Sequence, residues 1–205
     1  REQMRLEVKH LQKRLNIAVL FVTHDQVEAL SLSDRIALMN FGEIQQQGDP
    51  RHLYEAPTNE FVRDFVGKTL LFKGKVAIHN PSGHMAIAIT GAPDCTVFGR
   101  TYDPESIKAG DDVFLGIRPE DVELLPAISA DVPPGIIGGT VLAALFVGER
   151  TEYQIDVDGQ RAILIYGDRH QPLGEGDKVW LRPRPDGHSA WPSDRSMADA
   201  LDNAQ

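Results

Sequence analysis

The chain has 205 residues, 41% of them hydrophobic and 25% charged, with a formal net charge of −9 and a single cysteine, Cys95. Those proportions fit one large or two small globular domains and exclude an internal disulfide, as suits a reducing cytoplasm. The acidic balance argues against a nucleic-acid partner, whose phosphates attract basic surfaces, no apolar stretch reaches the roughly 20 residues needed to span a bilayer, and nothing resembles a signal peptide.

In chain order, Met4, Val8, Leu11 and Leu15 form one stripe of an amphipathic helix, and Asn16 stops it. Ile17-Ala18-Val19-Leu20-Phe21-Val22 is an unbroken apolar run, the pattern of a strand buried on both faces of a parallel sheet. Thr23-His24-Asp25 follows, and Asp25 and Glu28 stand at capping-box spacing before a helical pattern. This order predicts His24 at the carboxyl end of a parallel strand, where open α/β sheets bind ligands. The chain opens at Arg1 without an initiator Met and is expected to be part of a longer protein.

Asp34 to Met39 alternates as a half-buried strand does, Asn40-Phe41-Gly42 is a turn signal, and Glu43 to Gln47 reads as the returning strand. Asp49-Pro50 starts a short helix to about Glu55. Ala56 to Asn59 breaks it, and Glu60 to Val66 is a second helix ended by Gly67. Gly67-Lys68-Thr69 imitates the end of a phosphate-binding loop, but Val62 stands where that loop needs its first Gly, and the triplet follows a helix rather than a strand.

From Leu70 the texture is all β. Strands are predicted near Phe72–Ile78, Met85–Thr90, Val97–Arg100, Asp112–Ile117, Gly139–Leu145, Glu152–Val157, Ala162–Tyr166 and Lys178–Arg182, which suggests a small barrel or sandwich. An internal repeat is visible. Gly110-Asp111-Asp112-Val113-Phe114-Leu115-Gly116-Ile117-Arg118-Pro119 aligns with Gly176-Asp177-Lys178-Val179-Trp180-Leu181-Arg182-Pro183-Arg184-Pro185. Gly74-Lys75-Val76 and Gly139-Thr140-Val141 correspond at nearly the same offset. The Pro-rich stretch Pro126 to Gly135 is expected to link the two copies. Residues 186–205 are expected to form a flexible tail, with Trp191-Pro192 docking on the barrel and Ser196 to Leu201 making a frayed turn of helix. His10, His52, His79, His84, His170 and His188 show no metal-ligand spacing and read as surface residues, so no metal site is expected.

The segment from the apolar run through Thr23-His24-Asp25 resembles the switch-histidine segment of ABC-transporter ATPase subunits. The pattern Gln46-x-Gly48-x-Pro50, Tyr54, Pro57, Phe61-Val62, Phe65, Gly67 resembles the end of the nucleotide-binding domain in importers of sugars, glycerol phosphate, polyamines or ferric iron. Gly116-Ile117-Arg118-Pro119-Glu120-Asp121-Val122 resembles a marker of the accessory region of the same subunits, a pair of oligonucleotide/oligosaccharide-binding (OB)-type units called a TOBE domain. Phe41 departs from the Asp or Lys common in that family.

The resemblance implies an α/β remnant of a P-loop ATPase domain over residues 1–67 and an OB-like regulatory and dimerisation domain over 68–185. It makes His24 the catalytic residue, contacting the γ-phosphate of ATP and helping to position the attacking water. ATP and Mg2+ are the implied cofactors of the full-length subunit, with none expected for this chain alone. Walker A, Walker B and the Leu-Ser-Gly-Gly-Gln signature are absent from it, so it is expected to be inactive by itself. The implied partners are a second copy through the β domain and transmembrane permease subunits, at the cytoplasmic face of the membrane. Arg118 and Glu120 admit either a site or a fixed turn, and the turn reading is preferred. Two other readings stay open. One is a stand-alone OB-type module that binds a small oxyanion, which leaves residues 1–67 unexplained. The other is an OB-type nucleic-acid binder, which 7% aromatics and a charge of −9 disfavour.

Overall fold

A computed structural model describes residues 2–92, 94–101, 103–129, 131–157, 163–168, 170 and 173–193. The chain divides into two compact units between Lys68 and Thr69.

The first unit begins with α1 (Glu2–Leu15), which Asn16 ends in a left-handed conformation at φ 49°. Lys9 Nζ donates to the Ser31 carbonyl at 3.3 Å and ties α1 to α2 (Gln26–Leu32). The run Ile17–Val22 corrects the strand expectation. It forms no ladder, and its side chains lie open, Leu20 at 95% and Val22 at 90%. A strand exists through its neighbours, and among the described residues no strand pairs with this run. The one sheet described in this unit is the hairpin of β1 (Ile36–Asn40) and β2 (Glu43–Gly48). Its turn places Phe41 at φ 47° and Gly42 at φ 83°, the paired left-handed residues of a tight hairpin.

α3 (Pro50–Glu55) is capped by Asp49, whose carboxylate accepts from the His52 amide at 2.9 Å. α4 (Glu60–Val66) is capped by Asn59, which accepts from the Val62 amide at 3.0 Å. Leu38, Leu53, Val62 and Val66 form a small core under Ile36, Tyr54, Phe61 and Phe65. The buried Gln46 fastens the α3–α4 connection: its amide donates to the Ala56 carbonyl at 3.0 Å, and its oxygen accepts from the Thr58 amide at 2.9 Å.

The second unit is all β. Its first copy of the repeat supplies β3 (Leu70–His79), β4 (His84–Ile89), β5 (Thr96–Arg100) and β6 (Asp112–Ile117). After a 3-10 turn at Pro119–Asp121 comes β7 (Val122–Pro126). The second copy supplies β8 (Ile137–Phe146), β9 (Arg150–Val157), β10 (Ile163–Asp168) and β11 (Lys178–Pro183), and β12 (His188–Pro192) follows.

The strand order shows how the copies join. β12-β5-β4-β3-β6 is a closed barrel, and β10-β9-β8-β11-β7 is a five-stranded sheet. Each set is four strands of one copy plus the strand that follows the other copy. One continuous core fills both, including Phe72, Ile87 and Leu115 from the first and Tyr153, Ile155 and Leu181 from the second.

The repeated sequence makes the same hydrogen bonds twice. The Gly110 amide donates to the Val76 carbonyl at 2.8 Å and the Val76 amide to the Asp111 carbonyl at 3.0 Å. In the second copy the Gly176 amide donates to Val141 at 2.8 Å and the Val141 amide to Asp177 at 2.9 Å. Asp111 and Asp177 each accept, through the side chain, from the amide three residues earlier, at 2.8 and 2.7 Å. Gly110 and Gly176 sit at φ 91° and 87°, where a side chain would be strained.

β7 and β12 are additions to the predicted strands. β12 corrects the reading of residues 188–192 as tail: they pair with β5 and β6. It also corrects His188, which is buried, its Nε2–H donating to the Arg184 carbonyl at 2.7 Å, with burial lowering its pKa. Ser196 to Leu201 lies outside the described residues.

A Cβ on Gly74 would stand 2.5 Å from Ile87 Cγ2, and one on Gly139 would stand 2.6 Å from Ile155 Cγ2. Gly74→Ala and Gly139→Ala are each expected to destabilise the β unit by about 1–3 kcal/mol. Because strands are exchanged, both should lower the same single unfolding transition. Urea unfolding followed by tryptophan fluorescence checks this, and two separable transitions would contradict it.

Candidate functional site

The sequence expectation centres on His24. A network of short bonds holds the backbone around it. The Asp25 carboxylate accepts from the amides of Val27 at 2.8 Å and Glu28 at 3.0 Å, capping α2. The reciprocal arm differs from a simple capping box. Glu28 accepts from the Thr23 hydroxyl at 2.8 Å, and the Thr23 oxygen accepts from the Asp25 amide at 3.0 Å. Thr23 thus relays between the Glu28 carboxylate and the Asp25 amide that a capping box would join directly. The sequence signal for this relay is a hydroxyl five residues before a Glu at a helix start, which capping-box spacing alone does not pick out.

The Glu28 amide, helped by that of Val27, holds the Asp25 carboxyl below the usual carboxylate range. The His24 side chain is exposed. This corrects its expected place in the crevice of a parallel sheet: in this chain the imidazole stands between an open apolar run and the start of α2.

The Gly67-Lys68-Thr69 triplet joins α4 to β3, the reverse of the strand-to-helix order of a phosphate loop. Thr69 is engaged elsewhere: its hydroxyl accepts from Arg118 Nη1 at 2.6 Å. No strand–glycine loop–helix cradle occurs among the described residues, so the residues present do not by themselves fit a nucleotide with its metal. Nor does any group of three or more His, Cys, Asp or Glu among them suit a metal ion.

Arg118 is buried and Glu120 exposed, at the crossing from β6 to β7. Arg118 braces the start of β3 through Thr69. The equivalent residue of the second copy, Arg184, pairs with Asp121 at 3.3 Å, and its amide donates to the Asp121 carbonyl at 2.9 Å. The two crossings therefore touch. Gly116 of the same marker stretch has a structural cause: a Cβ there would stand 2.6 Å from the Trp191 ring. Cys95 is buried, which pushes its thiol up to about 11 and keeps it protonated.

Residues 115–190 match the family model of the TOBE domain. Over 195 residues the chain is 32% identical to the spermidine/putrescine import ATP-binding protein PotA of Frankia alni, covering 91% of this chain and 42% of that protein. Over 196 residues it is 34% identical to an ABC transporter ATP-binding protein of Sinorhizobium fredii, covering 90% and 46%. The chain thus spans less than half the length of these relatives. A molybdate-bound crystal structure of the cytoplasmic molybdate-binding protein ModG aligns at a TM-score of 0.48 and 17% identity, over 59% of this chain and 94% of that one.

Asp25→Ala should loosen the start of α2 and the Thr23–Asp25 segment, raising hydrogen exchange at the Val27 and Glu28 amides by roughly two- to tenfold. The sign with pH follows from the depressed carboxyl. The cap is complete above about pH 4 and is lost as the pH falls through the folded value. NMR-detected exchange at the two amides, which should show no such acid loss in Asp25→Ala, checks both.

Proposed function

We infer a role in ATP-driven solute uptake, because the chain is kin to the ATP-binding subunits of ABC importers and carries a TOBE domain over residues 115–190. Residues 1–67 are then part of the P-loop ATPase domain of such a subunit, and the β unit is its accessory domain. The observation that carries the reading is similarity to these subunits running through both units, over 91% of the chain. The exposed run Ile17–Val22 supports it, since a strand of the ATPase sheet would be covered on both faces by the rest of that domain.

In the longer protein, ATP with Mg2+ supplies the driving chemistry. The contribution of this chain is an exposed imidazole on a rigidly capped turn. In this reading His24 donates a hydrogen bond where charge develops on a transferring phosphoryl group, a role in which a preorganised donor outperforms water. The partners are transmembrane permease subunits and a second copy that meets this one through the β unit. The subunit works peripherally at the cytoplasmic face of the membrane. No helix among the described residues is long and apolar enough to cross it. The polyamines named for the PotA relatives are one substrate class for such a transporter.

The chain as it stands should neither bind ATP tightly nor hydrolyse it, because its sequence carries no Walker A motif and no phosphate cradle occurs among the described residues. A coupled-enzyme assay with Mg2+ checks this; turnover above background that His24→Ala abolishes would refute it.

In a complete subunit carrying this sequence, His24→Ala should cut turnover by roughly 10²–10³-fold, the size of one transition-state donor. ATP affinity should change little. Turnover within about twofold of the parent would remove the role of His24.

A further inference from the structure

The two copies of the repeat differ at the ends of their first strands. Both carry a bulge near the end of their first strand, at Val76/Ile78 in β3 and Val141/Ala143 in β8. Beyond the first bulge the arm closes quickly in the polar turn Asn80-Pro81-Ser82-Gly83, where the Gly83 amide donates to the Asn80 carbonyl at 2.9 Å. Beyond the second, Leu145 and Phe146 stand in the places of Asn80 and Pro81, and the strand continues. Proline and polar residues are common protections of a strand edge. The second arm has neither.

Residues 143–146 pair with β9 on one side, from Ala143↔Gln154 to Phe146↔Thr151, and Leu142 stands in the bulge. On the other side β11 stops at Lys178↔Thr140. Val141 still bonds Gly176 and Asp177, but among the described residues no strand pairs with that edge beyond it, and every residue from Leu142 to Val147 is exposed, Leu145 at 62% and Phe146 at 66%. From Val132 to Gly148 no residue is charged.

We propose that the free edge of β8 at Leu142–Phe146 pairs antiparallel with the same edge of a second copy, about a two-fold axis at Ala144. This rests on the self-association inferred above and narrows it to one strand. Three features select a second copy as the occupant. The stretch is self-complementary: with Ala144 on the axis, Leu142 faces Phe146 and Ala143 faces Leu145, so each cross-strand pair is apolar and the small residues lie at the centre. Two chains of net charge −9 repel wherever their charged surfaces meet, and this edge is long and uncharged. An antiparallel pair would also join the two five-stranded sheets into one and satisfy the open backbone groups.

The test uses the whole chain with Ala144→Lys and Ala144→Glu, which place like charges against each other on the axis. Sedimentation at high micromolar concentration should show a dimer for the parent and monomers for each variant, with unchanged far-ultraviolet circular dichroism. Mixing the two variants should restore a dimer through the Lys–Glu pair, which a misfolded chain could not do. Dimers persisting in both single variants would overturn the edge assignment while leaving self-association intact. A parent that is monomeric would overturn both. So would a monomer in which the amides of Leu142–Phe146 are protected from exchange, since the chain itself would then cover the edge.

Discussion

The β unit rests on strand exchange. Neither five-stranded set is complete with the strands of its own repeat, and the first barrel closes only when β12 seats between β5 and β6. The crossings hold one another: Arg184 meets Asp121 through backbone and side chain, and the Phe98 amide donates to the Pro185 carbonyl at 2.7 Å. The Arg-Pro pair ending each repeated frame does two jobs. Proline cannot continue a central ladder, so the strand stops, and the arginine braces the turn that sends the chain into the other set. Gly116 follows from the same constraint, since the Trp191 ring of β12 occupies the space of its side chain.

The first unit is held differently. Its caps at Asp25, Asp49 and Asn59 are local, each joining residues three apart in the chain. Its core is small, and its apolar residues in α1 and in Ile17–Val22 lie open. Short-range bonds fix the Thr23–Glu28 geometry even without cover over the apolar run. The cap and the imidazole beside it are therefore a local device, independent of the sheet the sequence led one to expect.

The repeat, the capped helices and the hairpin were legible because each is written in neighbouring residues: a Gly-Asp turn, an Asp before a Pro, an Asn-Phe-Gly signal. β7 and β12 were not. Both are five residues long, end in proline, and follow an Arg-Pro pair that reads as a stop. Their partners lie in the other repeat, and pairing across that distance leaves no mark on local periodicity. The failure at Ile17–Val22 is the converse. The pattern says buried strand, yet strand formation belongs to the partners, and none of the described residues supplies them. His188 was misread for the same reason as β12: a histidine in a Gly- and Asp-rich stretch looks like surface until the strand is docked.

The exchange also orders synthesis. β12 meets β5 at His188↔Gly99, a separation of 188 − 99 = 89 residues. A chain emerging from the ribosome exposes β3 to β6 long before the strand that closes them exists, and β7 emerges ahead of the sheet it joins. The first set of strands must wait, incomplete and with open edges, until β12 is made. Long-range pairing of this kind slows folding and prolongs exposure of unpaired strands. The interval between translation of Gly99 and release of Pro192 is the period in which this protein most needs protection from its neighbours on the polysome.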